Sequence, residues 1–145
     1  MNENTEMLEY IYKNSKMGAE SLTTLLKAIH NKDNKMKPIV EEQIKKYEKF
    51  VKDSEKILKK YKVELKEYNT MSKMSSWMGI NMEMLKDNSD SRVASMIMQG
   101  LTMGTIEMTK KIEDYEKKID KDILKIAKDF LSFQEDSIKK TKAYL

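Results

Sequence analysis

Apolar residues recur along most of this chain at alternating spacings of three and four. Leu8, Ile11, Ser15, Gly18, Leu22, Leu25 and Ile29 share one face of a 3.6-residue repeat, which predicts an amphipathic helix over about residues 3–31. A second stripe (Met36, Val40, Gln43, Tyr47, Phe50, Ser54, Ile57, Tyr61) predicts a helix over about 35–62. Asp33 or Asn34 can cap it. Pro38 is tolerated because it lies near the start, where a missing N–H leaves no helical bond unmade. The outer face places Glu41, Glu42, Glu48 and Glu55 each four residues before a lysine, the favoured order for helical ion pairs.

From Val63 to Thr70 the pattern stops. Met71, Met74, Met78, Met82 and Leu85 then stripe a short helix over about 71–86, capped by Thr70. Asp87-Asn88-Ser89-Asp90 breaks the chain, because Asn and Asp favour turns and caps over helix interiors. The next helix, over about 91–118, carries Val93, Met96, Ile97, Gly100, Leu101, Met103, Gly104, Met108, Ile112 and Tyr115. Asp120 caps the last, over about 120–145, striped by Ile123, Ala127, Phe130, Leu131, Gln134, Ile138, Thr141 and Leu145. Four long helices of roughly 40 Å each, at 1.5 Å per residue, are therefore expected in a single all-α domain. The connections are tight, long and tight, as in a four-helix bundle with one long crossover holding an additional short helix. A simple up-down-up-down bundle, with the Met-striped helix folded back as a cap, is the other arrangement the spacing allows.

The paired long helices, Ser76-Trp77-Met78 ahead of a broken third helix, the Met98-Gln99-Gly100-Leu101 stretch and Gln134 on the last helix together resemble the ferritin-like superfamily. The likeness is to its small bacterial four-helix-bundle members that lack the di-iron ligand set. The iron enzymes of that superfamily hold two metals with a Glu from each of two helices and Glu-x-x-His from each of the other two. Here the only histidine, His30, is preceded at i−3 by Lys27. Gln43 and Gln134 stand at core-centre positions, followed at i+3 by Lys46 and Ser137. The resemblance thus implies the architecture without the ferroxidase chemistry.

Composition narrows the function further. There is no cysteine, which excludes disulfides, thiolate metal sites and cysteine nucleophiles. Charged residues make up 36% of the 145, yet the net charge is only +4. That excess lies within residues 32–69, where lysines and acids interleave, unlike the one-sided basic stripe of a nucleic-acid binder. No apolar run approaches the ~20 residues of a membrane span. The acidic, polar start Met-Asn-Glu-Asn-Thr-Glu is not a secretory leader, so a cytoplasmic location is expected.

Few residues invite chemistry. His30 ends the first helix, where the helix dipole alone favours it, and no acid or nucleophile partners it. Glu107 projects toward the apolar face of its helix. It is the one weak candidate for a metal ligand, and otherwise an i,i+4 partner of Lys111 whose stem packs on the core. Asn14, Ser15, Gln43 and Gln134 interrupt apolar stripes and are expected to form a core polar network. Gly18, Gly100 and Gly104 are expected where another backbone approaches closely, which offsets their cost of about 1 kcal/mol each in a helix. Thirteen methionines raise the matter of Cu(I), but a Met stripe at helical spacing is ordinarily core or an adaptable contact surface. Trp77, Met78, Met82 and Met84 are the expected contact with a partner, since a crossover helix buries only one face on its own bundle. The sequence thus reads as a non-enzymatic bundle without cofactor that acts through self-association, as a homodimer, or by contact with another protein. A degenerate ferritin-like metal protein and a stress- or spore-associated structural protein are the alternatives. A small-molecule ligand, nucleic acid and membrane are not expected.

Overall fold

A computed structural model describes residues 2–29, 33–65 and 89–145. Those residues form four helices and no strand: α1 (Glu3–Ala28), α2 (Lys37–Lys60), α3 (Asp90–Tyr115) and α4 (Lys121–Lys142). None is long and apolar enough to cross a membrane. The expected short helix over 71–86, with its Met stripe, lies outside the described residues.

Local chemistry sets the ends. The Asn2 side chain accepts from the Thr5 N–H at 3.0 Å, and Ser89 accepts from that of Arg92 at 3.3 Å. Both satisfy donors that a helix start leaves open. Asn34 acts two residues before the cap, since its Oδ1 accepts from the Met36 N–H at 2.7 Å while Met36 itself holds the N-cap position. Lys62 leaves α2 in the left-handed region at φ 58°. Asp120 is the N-cap residue of α4 but makes no capping bond. Its Oδ2 instead accepts from Asn4 Nδ2 at 3.2 Å and from the Tyr61 hydroxyl at 3.4 Å, and its N–H donates to Asn4 Oδ1 at 2.8 Å. One residue thereby joins three helix ends.

The long-range bonds fix the helix directions. Glu6 meets Tyr115 and Tyr10 meets Glu107, so α1 and α3 run antiparallel. Gln43 meets Thr141 near one end and Tyr61 meets Asp120 at the other, so α2 and α4 do as well. Each helix is antiparallel to its neighbours, and the diagonal pairs are parallel. At the end opposite Asp120, the Lys35 N–H donates to Asp90 Oδ1 at 2.7 Å.

Packing is closest within the two hairpins, α1 on α2 and α3 on α4. The core runs from Met7, Leu8 and Ile11 through Tyr47 and Phe130 to Val93, Ile97 and Leu101. Four rings bridge α2 and the middle of α4 at mid-height. Tyr47 stands edge-on to Phe133, with centroids 4.7 Å apart at 90°, and Phe50 edge-on to Phe130 at 5.0 Å and 78°. Such contacts add about 0.5–1.5 kcal/mol each beyond burial. On the solvent side Glu42–Lys46 and Glu55–Lys59 close at 3.2 Å each. Being exposed, each contributes well under 1 kcal/mol.

Candidate functional site

Polar or exposed apolar side chains gather in three places: the middle of the core, the seam between α1 and α3, and the outward side of α3. The middle holds the polar residues expected to form one network, but they do not join. Gln43 Nε2 donates to Thr141 Oγ1 at 3.1 Å, and Thr141 Oγ1 donates to the Ser137 carbonyl at 2.7 Å. Gln134, nearly two turns before Thr141 on α4, packs on Gly104. The side-chain oxygens of Gln43 and Gln134 and the hydroxyls of Ser15 and Ser21 are buried without a hydrogen-bond partner. Asn14 is outside this group: half-buried, it returns its amide to the Tyr10 carbonyl at 2.8 Å. The reason is angular, because adjacent residues diverge by about 100° on a helix and only Ser15 faces inward. The cavity against Gln43 and Ser137 measures about 10 Å³, room for one water and no larger ligand.

Gly18 and Gly104 face side chains rather than a neighbouring backbone. A Cβ on Gly18 would lie 2.7 Å from the Tyr47 ring, and one on Gly104 would lie 2.6 Å from Gln134 Nε2. Gly100 is buried on α3. The two contacts differ in kind. Tyr47 is wedged among other rings, whereas the Gln134 amide is the far end of a flexible chain. Gly104→Ala should therefore be nearly neutral, within about 1 kcal/mol of wild type, because the helix gain of about 1 kcal/mol offsets the swing of Gln134. A urea titration checks this. A loss above about 2 kcal/mol, the middle of the overpacking range, would mean that Gln134 cannot yield.

In the α1–α3 seam Glu107 is exposed rather than aimed into the core. Its Oε2 accepts from the Tyr10 hydroxyl at 3.1 Å. Lys111 does not pair with it as the i,i+4 spacing implied. The ammonium lies 5.1 Å from the Tyr10 ring centroid and 4.9 Å from that of Tyr115, within reach of cation–π attraction. Tyr115 in turn donates to Glu6 Oε2 at 2.5 Å. These side chains clasp a seam that packs less closely than either hairpin. Among the described residues no three of His, Asp and Glu come together as metal ligands, and His30 lies outside them.

Four phenols, Tyr10, Tyr47, Tyr61 and Tyr115, are pushed above their ordinary 10, the first two most strongly. Burial raises Tyr10 first, followed by the charge and hydrogen bond of Glu107, and burial alone raises Tyr47. The fold thus holds both phenols neutral. Stability that depends on the neutral form is complete below the unfolded value of about 10 and is lost as pH climbs above it. The thermal midpoint should fall as the solution is made alkaline beyond pH 10, with phenolate absorbance appearing together with unfolding. Tyr10→Phe should reduce that slope. A midpoint flat through this range would contradict the burial of both rings.

Among the described residues, the outward side of α3 carries two large apolar side chains in the open. Met103 and Ile106 are 60% and 64% exposed. Met103 was expected in the apolar stripe, yet it lies about 100° from Gly104, on the far side of the helix. Ile106 also edges an open groove between α3 and α4, floored by Leu131 and Ile138 and rimmed by Lys110, Glu113, Glu135 and Lys139. The contact residues expected from sequence, Trp77, Met78, Met82 and Met84, lie outside the described residues. Sequence reading missed Met103 and Ile106 as surface residues, although a signal existed: no charge occurs from Val93 to Ile106. Comparison with family models, with curated proteins and with solved structures finds no match to this chain.

Proposed function

We propose that this chain is a non-enzymatic helical bundle of ferritin-like topology that works through contact with another protein chain, its own copy included. The observation that carries this reading is the outward side of α3, uncharged and bearing exposed Met103 and Ile106. Apolar surface held in water on an otherwise highly charged protein ordinarily marks a contact site. The ferritin-like crossover is supported by helix direction. α2 ends beside Asp120 and α3 begins beside Lys35, so the connection between them joins opposite ends of the bundle.

A catalytic or metal-holding role finds little support at mid-height. Aromatic rings occupy that level on α2 and α4, and a lone exposed carboxylate such as Glu107 cannot hold a two-metal site. A cysteine-free chain also suits a reducing compartment, which favours the cytoplasm.

Elemental analysis of the full chain purified without added chelator, alongside its mass by sedimentation, tests the reading. The expected result is no stoichiometric iron, manganese or zinc and a mass above that of one chain. Two equivalents of iron per chain, lost on Glu107→Ala, would overturn it in favour of a degenerate metal protein.

A further inference from the structure

Fourteen consecutive residues of α3, Val93 to Ile106, carry no charge in a protein whose residues are 36% charged. The stretch makes nearly four turns, so its neutrality extends all the way around the helix. Ser95, Gln99, Thr102, Met103 and Ile106 lie on the side opposite buried Ile97, Leu101 and Met108. The outward sides of α2 and α4 are built differently, from residues such as Lys45, Lys49, Lys52, Lys125, Asp129 and Asp136. A helix that is hydrophobic all round is buried, and this neutral stretch, with Met103 and Ile106 turned outward, departs toward that case from the charged faces of α2 and α4.

We propose that a second copy of the chain covers this side, with the two α3 helices packed antiparallel about a two-fold axis between Thr102 and Met103. The proposal rests on the contact reading above and names its partner. The face is self-complementary, as a two-fold interface requires. About that axis Thr102 stands opposite Met103 of the second copy, Gln99 opposite Ile106, Ser95 opposite Lys110 and Arg92 opposite Glu113. Neutral residues fill the centre, and an Arg–Glu pair closes each end. Parallel packing would instead set Arg92, Lys110 and Glu113 each against its own like charge, which is destabilising. Charge order therefore selects the antiparallel arrangement. The small side chains of Ser95 and Thr102 permit close approach of the two helices, and the Leu131–Ile138 groove beside Ile106 extends the apolar surface onto α4.

The absence of native cysteine makes the test clean. In the full chain, Thr102→Cys places a thiol beside the axis, and Lys49→Cys on exposed α2 serves as control. Under mild oxidation the Thr102→Cys variant should become a disulfide-linked dimer while the Lys49→Cys variant does not. Sedimentation equilibrium should find wild type as a dimer, and Ile106→Glu at half that mass with unchanged helical circular dichroism. A dimer that survives Ile106→Glu, with no cross-link through Thr102→Cys, overturns this face while leaving self-association through another. A wild-type chain that stays monomeric to its solubility limit overturns self-association itself. An Ile106→Glu variant that loses helix content and melts far below wild type also overturns the proposal, because the side would then be covered from within the same chain.

Discussion

Replacing Phe130 with alanine should lower the free energy of unfolding by about 3–5 kcal/mol, the usual cost of deleting a fully buried phenyl ring. Phe130 is almost wholly enclosed. Its ring contacts Tyr47, Phe50 and Phe133 at centroid distances of 6.2, 5.0 and 6.2 Å. It therefore sits where the packing of α2 meets that of α4, and the cavity left by its removal is flanked by rings too rigid to collapse into it. Domains of this kind are typically stable by only 5–15 kcal/mol, so this one substitution removes a large share. Urea titration of the variant and wild type reads the difference. A loss below about 1 kcal/mol, far under that range, would mean that the four rings do not form the centre of the core.

Gly18→Leu should be the next most damaging change. Even a single Cβ at this position meets three Tyr47 ring atoms at 2.7–2.9 Å. The ring has no retreat, with Phe133 edge-on behind it at 4.7 Å. Overpacking of this sort costs up to about 3 kcal/mol or more. Better helix propensity returns about 1 kcal/mol, leaving a net loss of about 2 kcal/mol. Pairing the change with Tyr47→Leu should recover part of the loss, because residues in contact couple non-additively. If the single variant melts like wild type, or if the pair is merely additive, Gly18 does not seat the Tyr47 ring.

Much of the fold was legible because its signal is local. Apolar residues spaced by three and four, the break at residues 87–90 and Pro38 near a helix start located the four helices to within about three residues at either end. The remaining differences also have local causes. Lys62 takes a left-handed conformation that Gly or Asn would have advertised. Asp120 spends its side chain on Asn4 and Tyr61 rather than on its own helix.

The candidate site was less legible, because its features depend on which helix lies opposite. A projection aims Glu107 into the apolar face of its helix. Only the Tyr10 hydroxyl of α1 shows that the carboxylate points along the seam rather than into the core. Gly18 and Gly104 carry no mark that one faces a fixed ring and the other a movable amide. Gln43 and Gln134 look alike in sequence, yet Thr141 serves one and Gly104 abuts the other. Met103 was grouped with the core because it is apolar and near Gly104, whereas one step along a helix turns a side chain by about 100°.

The central claim is that this protein works through its surface and not through anything held in its core. Native mass spectrometry of the full chain, purified without chelator and sprayed from volatile buffer, tests that claim most directly, since one spectrum reports both association and bound mass. The account predicts a species at twice the 17.1 kDa chain mass, with no added mass from metal or ligand. A single chain carrying the mass of bound metal ions would contradict it.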